Sequence, residues 1–212
     1  ASDANLVAEL ASYRKESMLR ILMSQNTLDE KVMSNFHLSL NGGVNGNNIT
    51  LLDGNKEVVL GDNIKLEPVE AIHTIGGSFG FVLNLNGLKI GYTGDTGFNA
   101  TYKTASGKEL SATDKIIDKA EIEEPGAFDE KLKKVFGEVD LLIFNLHDVE
   151  FRKHTKHNLY HSTIADAVKV LRDSRVKFCF LEHFNPHGCT GVEYPQKVNE
   201  FIKESTGKNT KM

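Results

Sequence analysis

Several side chains that can bind metals or transfer protons lie at the ends of predicted strands and helices. They are four histidines and two aspartates: His73, Asp95, His147, Asp148, His161 and His183. Taken alone, each histidine is better explained as an ordinary hydrogen-bonded or solvated side chain. Taken together, imidazoles and a carboxylate at strand ends are the ligands that zinc and similar metals prefer. The sequence therefore indicates a metal site at one edge of a layered α/β fold.

Asp95 lies in the stretch KIGYTGDTG, residues 89–97. Apolar residues alternate with other residues on both sides of Asn86-Gly87, a pattern that predicts a β-hairpin over 79–93. Asp95 follows the second strand of this hairpin and is flanked by glycines, whose backbone freedom lets a side chain be directed into a site. An Asx turn that leaves the strand is the alternative interpretation.

The first half of the chain changes from helical to strand patterns. Residues 4–23 and 28–36 carry apolar residues at helical spacing. The stretch 41–48, rich in glycine and asparagine, predicts a loop. Strands are predicted after it at 48–52, 57–60 and 64–72.

The second half alternates between strands and helices. Residues 98–138 are polar, with two weak helical patterns, DKIIDKA and FDEKLKKVF, and are interpreted as an insertion on the surface. The runs DLLIFNLH (140–147) and VKFCFLEH (176–183) are typical of strands buried on both faces. Helical faces follow them, at Ile164, Val168 and Leu171 and at Tyr194, Val198, Phe201 and Ile202. This alternation predicts one α/β domain over residues 1–212.

The composition limits the possible classes of protein. The chain has 212 residues, of which 40% are hydrophobic and 25% charged, and it has no run apolar enough for a membrane span. We therefore expect a soluble protein without a membrane partner. The net charge of -4, with scattered positive charges, disfavours a dedicated nucleic-acid binder. Two cysteines, Cys179 and Cys189, are too few for a disulfide framework, and a reducing, cytoplasmic location is expected.

The remaining histidines are weaker candidates. His37 and His154 are interpreted as loop residues. His157 and His187 lie near the candidate set in the sequence and are either supporting residues of the site or merely exposed.

Five stretches carry a resemblance to a known family. In order they are HTIGGSFGFVL, KIGYTGDTG, DLLIFNLHD, HSTIADAVKVL and VKFCFLEHF. They resemble the metallo-β-lactamase superfamily and, within it, the ribonuclease Z-like and phosphodiesterase-like hydrolases. The resemblance covers roughly residues 64–187. It implies an αββα sandwich, of which this chain would be the C-terminal portion.

The resemblance also implies roles for individual residues. His73 would bind one metal, Asp95 would bridge two metals, and His183 would bind the second. His161 would be a catalytic residue beside the metals rather than a ligand, acting together with Asp95. The implied cofactor is zinc in a two-metal site, with manganese or iron as alternatives. Possible supporting residues around the ligands are His147, Asp148, His157 and His187.

One motif of the family is absent. The run His-x-His-x-Asp-His, which supplies most of the remaining ligands, does not occur in these residues. We expect the chain to be the C-terminal part of a longer hydrolase and to be inactive alone. The alternatives are a natural protein that lost its metal site, or one that uses HTKHNLYH (154–161) for replacement ligands. Because strands without their partners would leave open sheet edges, a homodimer or a missing N-terminal segment is expected.

Three functions remain open from the sequence. The first is a metal-dependent hydrolase of phosphodiesters, which the segment HSTIADA favours. The second is an acyl hydrolase of the same superfamily, such as a lactonase or thioesterase. The third is a fragment or binding module without activity. Only a short hairpin separates His73 from Asp95, which leaves no room for a long arm that grips transfer RNA, so a small or nucleotide-type phosphodiester is the expected substrate.

Overall fold

The computed structural model describes residues 21–26, 49–54, 56–73, 77–114, 117, 120–149, 159–183 and 194–211. The chain divides into two compact units, Ala1–Lys56 and Glu57–Met212, which are treated separately below. The single-domain interpretation of residues 1–212 stays a prediction.

The described part of the first unit is a pair of parallel strands. β1 (Ile21–Ser24) pairs with β2 (Ile49–Leu52) along its whole length. The predicted helix over 4–23 is therefore wrong at its C-terminal end, because pairing with a distant strand overrides a local helical pattern. The rest of that helix, the helix predicted at 28–36 and the loop predicted at 41–48 lie outside the described residues.

The second unit contains ten described strands and three described helices. In chain order they are β3 (Val58–Gly61), β4 (Ile64–Glu70), β5 (Phe79–Leu85), β6 (Leu88–Tyr92), β7 (Thr101–Thr104), β8 (Glu109–Ser111), β9 (Ile122–Pro125), α1 (Glu130–Gly137), β10 (Leu141–Asn145), α2 (Ile164–Leu171), β11 (Phe178–Glu182), α3 (Tyr194–Thr206) and β12 (Asn209–Lys211). The predicted strands and hairpin, and the helices after 140, are confirmed. The short polar strands β7, β8, β9 and β12 were not predicted.

The main sheet has the strand order β12-β11-β10-β6-β5-β4-β3. The pairs β12–β11, β11–β10 and β10–β6 are parallel, whereas β6–β5, β5–β4 and β4–β3 are antiparallel. It follows that β4 runs in the same direction as β6, β10 and β11. The carboxyl ends of these four strands therefore meet at one edge of the sheet.

One face of the main sheet packs against the three helices and forms the larger hydrophobic core. Leu142 and Phe144 of β10 enter it from the sheet, and Phe136 and Ile202 enter it from α1 and α3. Phe98 lies between these layers and stacks on Phe144, with ring centroids 5.2 Å apart. Burial of these large side chains is the main source of stability of the unit.

β11 is buried on one face, which differs from the predicted burial of both. Cys179 and Leu181 lie in the core, whereas Phe180 is 39% exposed. The described helices pack on the Cys179 face and leave the opposite face of β11 uncovered by them. Burial raises the pKa of the Cys179 thiol to about 12, so this thiol acts as a small apolar group and not as a nucleophile.

The segment 98–138, predicted as a surface insertion, forms a small sheet and the helix α1. The sheet has the order β8-β7-β9 and covers a second hydrophobic core that includes Tyr102, Ile122 and Leu159. Tyr102 donates a hydrogen bond from its hydroxyl to the carbonyl of Leu159 at 2.7 Å. This second core thus anchors the chain two residues before His161.

Within the described segments, none of the helices combines the length and the apolar character that crossing a membrane requires.

Candidate metal centre

The carboxyl edge of the main sheet brings most of the predicted site residues together. His73 follows β4, Asp95 follows β6, and His183 follows β11 directly. His147 follows β10, which lies between β6 and β11. The parallel direction of the four strands is therefore the reason that residues distant in sequence meet at one place.

The loop that carries Asp95 is tied to the strands on both sides. Thr93 accepts a hydrogen bond on Oγ1 from the backbone N–H of Asn145 at 2.8 Å. Thr96 accepts one on Oγ1 from the backbone N–H of Ile72 at 2.9 Å. Asp95 thus lies between two anchors, one to β10 and one to the residue before His73.

Two glycines permit this close arrangement. Gly94 has φ +61°, and a Cβ added there would lie 3.1 Å from the carbonyl oxygen of Phe79. A Cβ added at Gly97 would lie 2.5 Å from the carbonyl oxygen of Leu159, a contact that the backbone does not tolerate. The glycines on either side of Asp95 are therefore required by backbone shape as well as by packing.

Three side chains contact the same oxygen of Asp95. Oδ1 accepts a hydrogen bond from Nδ2 of Asn145 at 3.1 Å, and it lies 3.4 Å from Nδ1 of His161 and 3.7 Å from Nε2 of His183. Among the described residues, no hydrogen bond or ion pair involves Oδ2 of Asp95. The second oxygen is thus the one available to a cation.

The histidines around Asp95 keep it in its charged form. The close approach of the His161 imidazole is the main cause that lowers the pKa of the Asp95 carboxyl below its ordinary value, and partial burial opposes it. The charges of His183, His161 and His73 lower this pKa further. Asp95 is therefore an anion at neutral pH, as a metal ligand must be.

The imidazole rings form a contiguous group centred on His161. The ring of His161 stacks on that of His147 with centroids 4.3 Å apart, and it meets the ring of His73 edge-on at 5.5 Å. The rings of His147 and His183 have centroids 5.7 Å apart. His161 and His147 have side chains only 10% and 12% exposed, so they lie at the floor of the group.

Asp148 orients His147. Its Oδ2 lies 3.1 Å from Nδ1 of His147, and Asp148 is itself buried. A carboxylate on Nδ1 favours the tautomer whose Nε2 carries the lone pair, which is the arrangement of many metal-binding or acid–base histidines.

The segment after His161 is fixed by the start of α2. Thr163 is the N-cap, and its side chain and that of Asp166 form a reciprocal capping box. The backbone carbonyl of Ser162 accepts hydrogen bonds from the N–H groups of His147 and Asp148, both at 3.2 Å. His161 is thus joined through the backbone to the end of β10.

Three residues offer the geometry of a metal site. His73, Asp95 and His161 each contribute one ligand atom, and these atoms all lie within 4.8 Å of one another. Three protein ligands of nitrogen and oxygen type are the usual set of a catalytic metal centre, and they suit zinc, manganese or iron. The side chains present therefore fit a divalent metal.

The structure arranges the predicted residues differently from the implied roles. His161, expected beside the metals, joins His73 and Asp95 in the ligand group, whereas His183, expected as a ligand, lies next to Asp95 but outside that group. The individual roles stay predictions. His154, His157 and His187 lie outside the described residues.

Asn145 was not among the residues predicted from the sequence. It ends β10, is 4% exposed and contacts Asp95 directly. The available signal was a polar amide inside the apolar run DLLIFNLH, where strand propensity and burial both disfavour it.

Comparison with known proteins identifies the fold. No family model and no curated protein sequence matches the chain. Among solved structures, it is similar to Igni18, a metallo hydrolase from Ignicoccus hospitalis, with a TM-score of 0.54, 11% identity and coverage of 91% of this chain and 64% of that one. It is also similar to a diphosphatase from the PhnP family, with a TM-score of 0.51, 11% identity and coverage of 85% and 52%.

A third similar structure is YhfI from Bacillus subtilis, a metallo-beta-lactamase fold protein, with a TM-score of 0.49, 12% identity and coverage of 76% and 51%. The chain thus spans between about half and two thirds of the length of these proteins. The protein has the α/β metallo-β-lactamase fold, which confirms the fold that the sequence resemblance implied.

Proposed function

We propose that the protein is a metal-dependent hydrolase that acts on a phosphodiester. The observation that supports this most strongly is the group of His73, Asp95 and His161, whose ligand atoms converge at the carboxyl edge of four parallel-running strands. A similar solved structure is described as a diphosphatase, which favours phosphoryl chemistry.

His73, Asp95 and His161 would hold one divalent ion. Bound there, the ion would polarise a phosphoryl oxygen and make water a better nucleophile. The charge of Asp95 offsets that of the ion, and the low pKa of its carboxyl keeps it available at neutral pH. Because all three ligands lie in this chain, the proposal can be tested on it directly, and the expectation of a fragment that is inactive alone stays a prediction.

His183 would act on the other side of Asp95. Its side chain is 50% exposed, and its φ of +58° is a conformation that residues other than glycine seldom adopt. Strained backbone of this kind is frequent at functional sites. We propose that His183 and Asp95 form a second, weaker ion position or contact the substrate phosphoryl group directly, while a small or nucleotide-type phosphodiester occupies the open side.

Hydrolysis of an activated phosphodiester tests the proposal. The chain would be incubated with bis(p-nitrophenyl) phosphate and, separately, with p-nitrophenyl acetate, each with and without Zn²⁺ or Mn²⁺. We expect metal-dependent cleavage of the phosphodiester that Asp95→Asn abolishes and Glu182→Gln, an exposed carboxylate at the same edge, leaves unchanged. Cleavage of the ester alone would indicate the acyl hydrolase instead, and no metal-dependent cleavage of either would contradict a hydrolase.

A further inference from the structure

The side chain of Asn145 is aimed at the candidate metal centre. Nδ2 donates a hydrogen bond to Oδ1 of Asp95 at 3.1 Å, and the residue is 4% exposed. The orientation of the amide is fixed by this contact, because turning it over would place two oxygen atoms against each other.

The backbone of Asn145 is held on both sides. Its N–H donates to Oγ1 of Thr93 at 2.8 Å, and its carbonyl accepts a hydrogen bond from the hydroxyl of Ser162. β10 is also paired along its length with β11, up to Asn145 opposite Glu182. The backbone that carries the amide is therefore held by rigid elements.

The amide oxygen of Asn145, Oδ1, is the second polar atom of this side chain. Among the described residues, Oδ1 of Asn145 is a buried acceptor without a hydrogen-bond partner. Buried acceptors are nearly always satisfied in folded proteins, so this atom calls for a donor such as an ordered water molecule.

We infer that Asn145 is the positioning residue of the metal-binding carboxylate. Its Nδ2 fixes Asp95 through Oδ1 and leaves Oδ2 for the ion. This inference rests on the proposed function, because it assigns a partner to the carboxylate that the proposed function uses. Partners that orient a ligand in this way typically change metal affinity by about 10- to 100-fold.

Cobalt titration of the chelator-washed chain measures the effect, since Co²⁺ reports both affinity and coordination by its visible absorption. Asn145→Leu keeps the size of the side chain and removes both polar atoms. We expect the Co²⁺ dissociation constant to rise by about 10- to 100-fold and the absorption bands to shift. Asn199→Leu is the matched control: Asn199 lies on α3, its Oδ1 is likewise a buried acceptor without a hydrogen-bond partner among the described residues, and it makes no contact with Asp95, so Co²⁺ binding should stay unchanged.

Circular dichroism would show whether Asn145→Leu folds. If it does not, a second variant tests the inference. Asn145→Asp keeps the polar shape but places a second acceptor against Asp95, so the absorption bands should shift even where affinity is retained. Wild-type affinity and spectrum in both folded variants would overturn the inference and leave the proposed function intact. Absence of Co²⁺ binding by the wild-type chain would instead overturn the proposed function.

Discussion

At the scale of single residues, the site depends on how neighbouring side chains contact the carboxylate of Asp95. Asn145, His161 and His183 all approach Oδ1 of Asp95, at 3.1, 3.4 and 3.7 Å. His161, and then the charges of His183 and His73, lower the pKa of the Asp95 carboxyl, and the other oxygen stays available to a cation. The role of each histidine then follows from which atom reaches that ion.

Substitution of His161 distinguishes a ligand from an acid–base residue. Because its ligand atom lies within 4.8 Å of those of His73 and Asp95, we expect His161→Ala to weaken zinc binding by at least about 10-fold. Calorimetric titration of zinc would measure this, with Glu182→Gln as the control at the same edge. Unchanged zinc affinity with a fall in kcat of about 10²- to 10⁴-fold would return His161 to the role that the family resemblance implies.

At the scale of elements, the strand ends and the turns that follow them determine the site. The predicted hairpin places Asp95 correctly, and parallel pairing of β6, β10 and β11 brings His183 to the same edge. These features could be predicted from sequence because alternation and buried runs indicate strands, and alternation of strands with helices favours parallel pairing. The proximity of His161 to Asp95 was implied only by the family resemblance, because it depends on tertiary contacts such as the hydrogen bond from Tyr102 to the carbonyl of Leu159.

The turn at Gly94 offers a test of this dependence on local backbone. Gly94 and Gly107 both have positive φ, +61° and +78°, but an added Cβ meets the carbonyl of Phe79 only at Gly94. Alanine at either position should lower the free energy of unfolding by about 1–2 kcal/mol through backbone strain. Only Gly94→Ala should also weaken zinc binding, because it shifts the turn that carries Asp95. Equal zinc affinity in both variants would show that the turn does not position the carboxylate.

The cap of α2 is a second test at this scale. The side chains of Thr163 and Asp166 each accept a hydrogen bond from the backbone N–H of the other residue, at the first turn of the helix. Thr163→Ala should lower the free energy of unfolding by about 0.5–2 kcal/mol, whereas Thr163→Ser, which keeps the hydroxyl, should recover most of it. Urea denaturation of the metal-free chain measures both values. An equal loss in the two variants would mean that packing of the methyl group, and not the cap, stabilises this end of the helix.

At the scale of the whole molecule, the edge of the main sheet opposite the site is stabilised by the buried carboxylate of Asp140. Asp140 accepts hydrogen bonds from the backbone N–H of Lys89 at 3.0 Å and from Nζ of Lys177 at 2.9 Å, which joins the starts of β6, β10 and β11. Mainly through the Lys89 N–H, then through Lys177 and Arg175, the pKa of the Asp140 carboxyl falls to about 2.

A lowered carboxyl pKa stabilises the folded state only where the carboxylate is ionised. The contribution of Asp140 is complete above the pKa of an unfolded aspartate, about 3.9, and is lost as the pH falls towards about 2. Asp140→Asn should therefore be less stable than wild type in urea at pH 7, and the two should converge near pH 2. Glu138→Gln, an exposed neighbour, should match wild type at both pH values. A difference between Asp140→Asn and wild type that persists unchanged to pH 2 would contradict this role.

The sequence predicted the metallo-β-lactamase fold and the strand-end position of Asp95, and it missed features that depend on tertiary pairing. Residues 21–23, predicted as the end of a helix, belong to β1 because β2 pairs with them. Phe180 is exposed because the described helices cover only the other face of the sheet. Asn145 was missed because a single amide in an apolar run has no periodicity that marks it.

Zinc titration of the chelator-washed chain tests the central claim most directly. Calorimetry of the wild-type chain should show one tightly bound zinc ion per chain, because among the described residues only His73, Asp95 and His161 bring three ligand atoms close together. Asp95→Asn should abolish this binding, and Glu182→Gln should retain it. No saturable binding by the wild-type chain, or tight binding that survives Asp95→Asn, would contradict a metal centre built on Asp95.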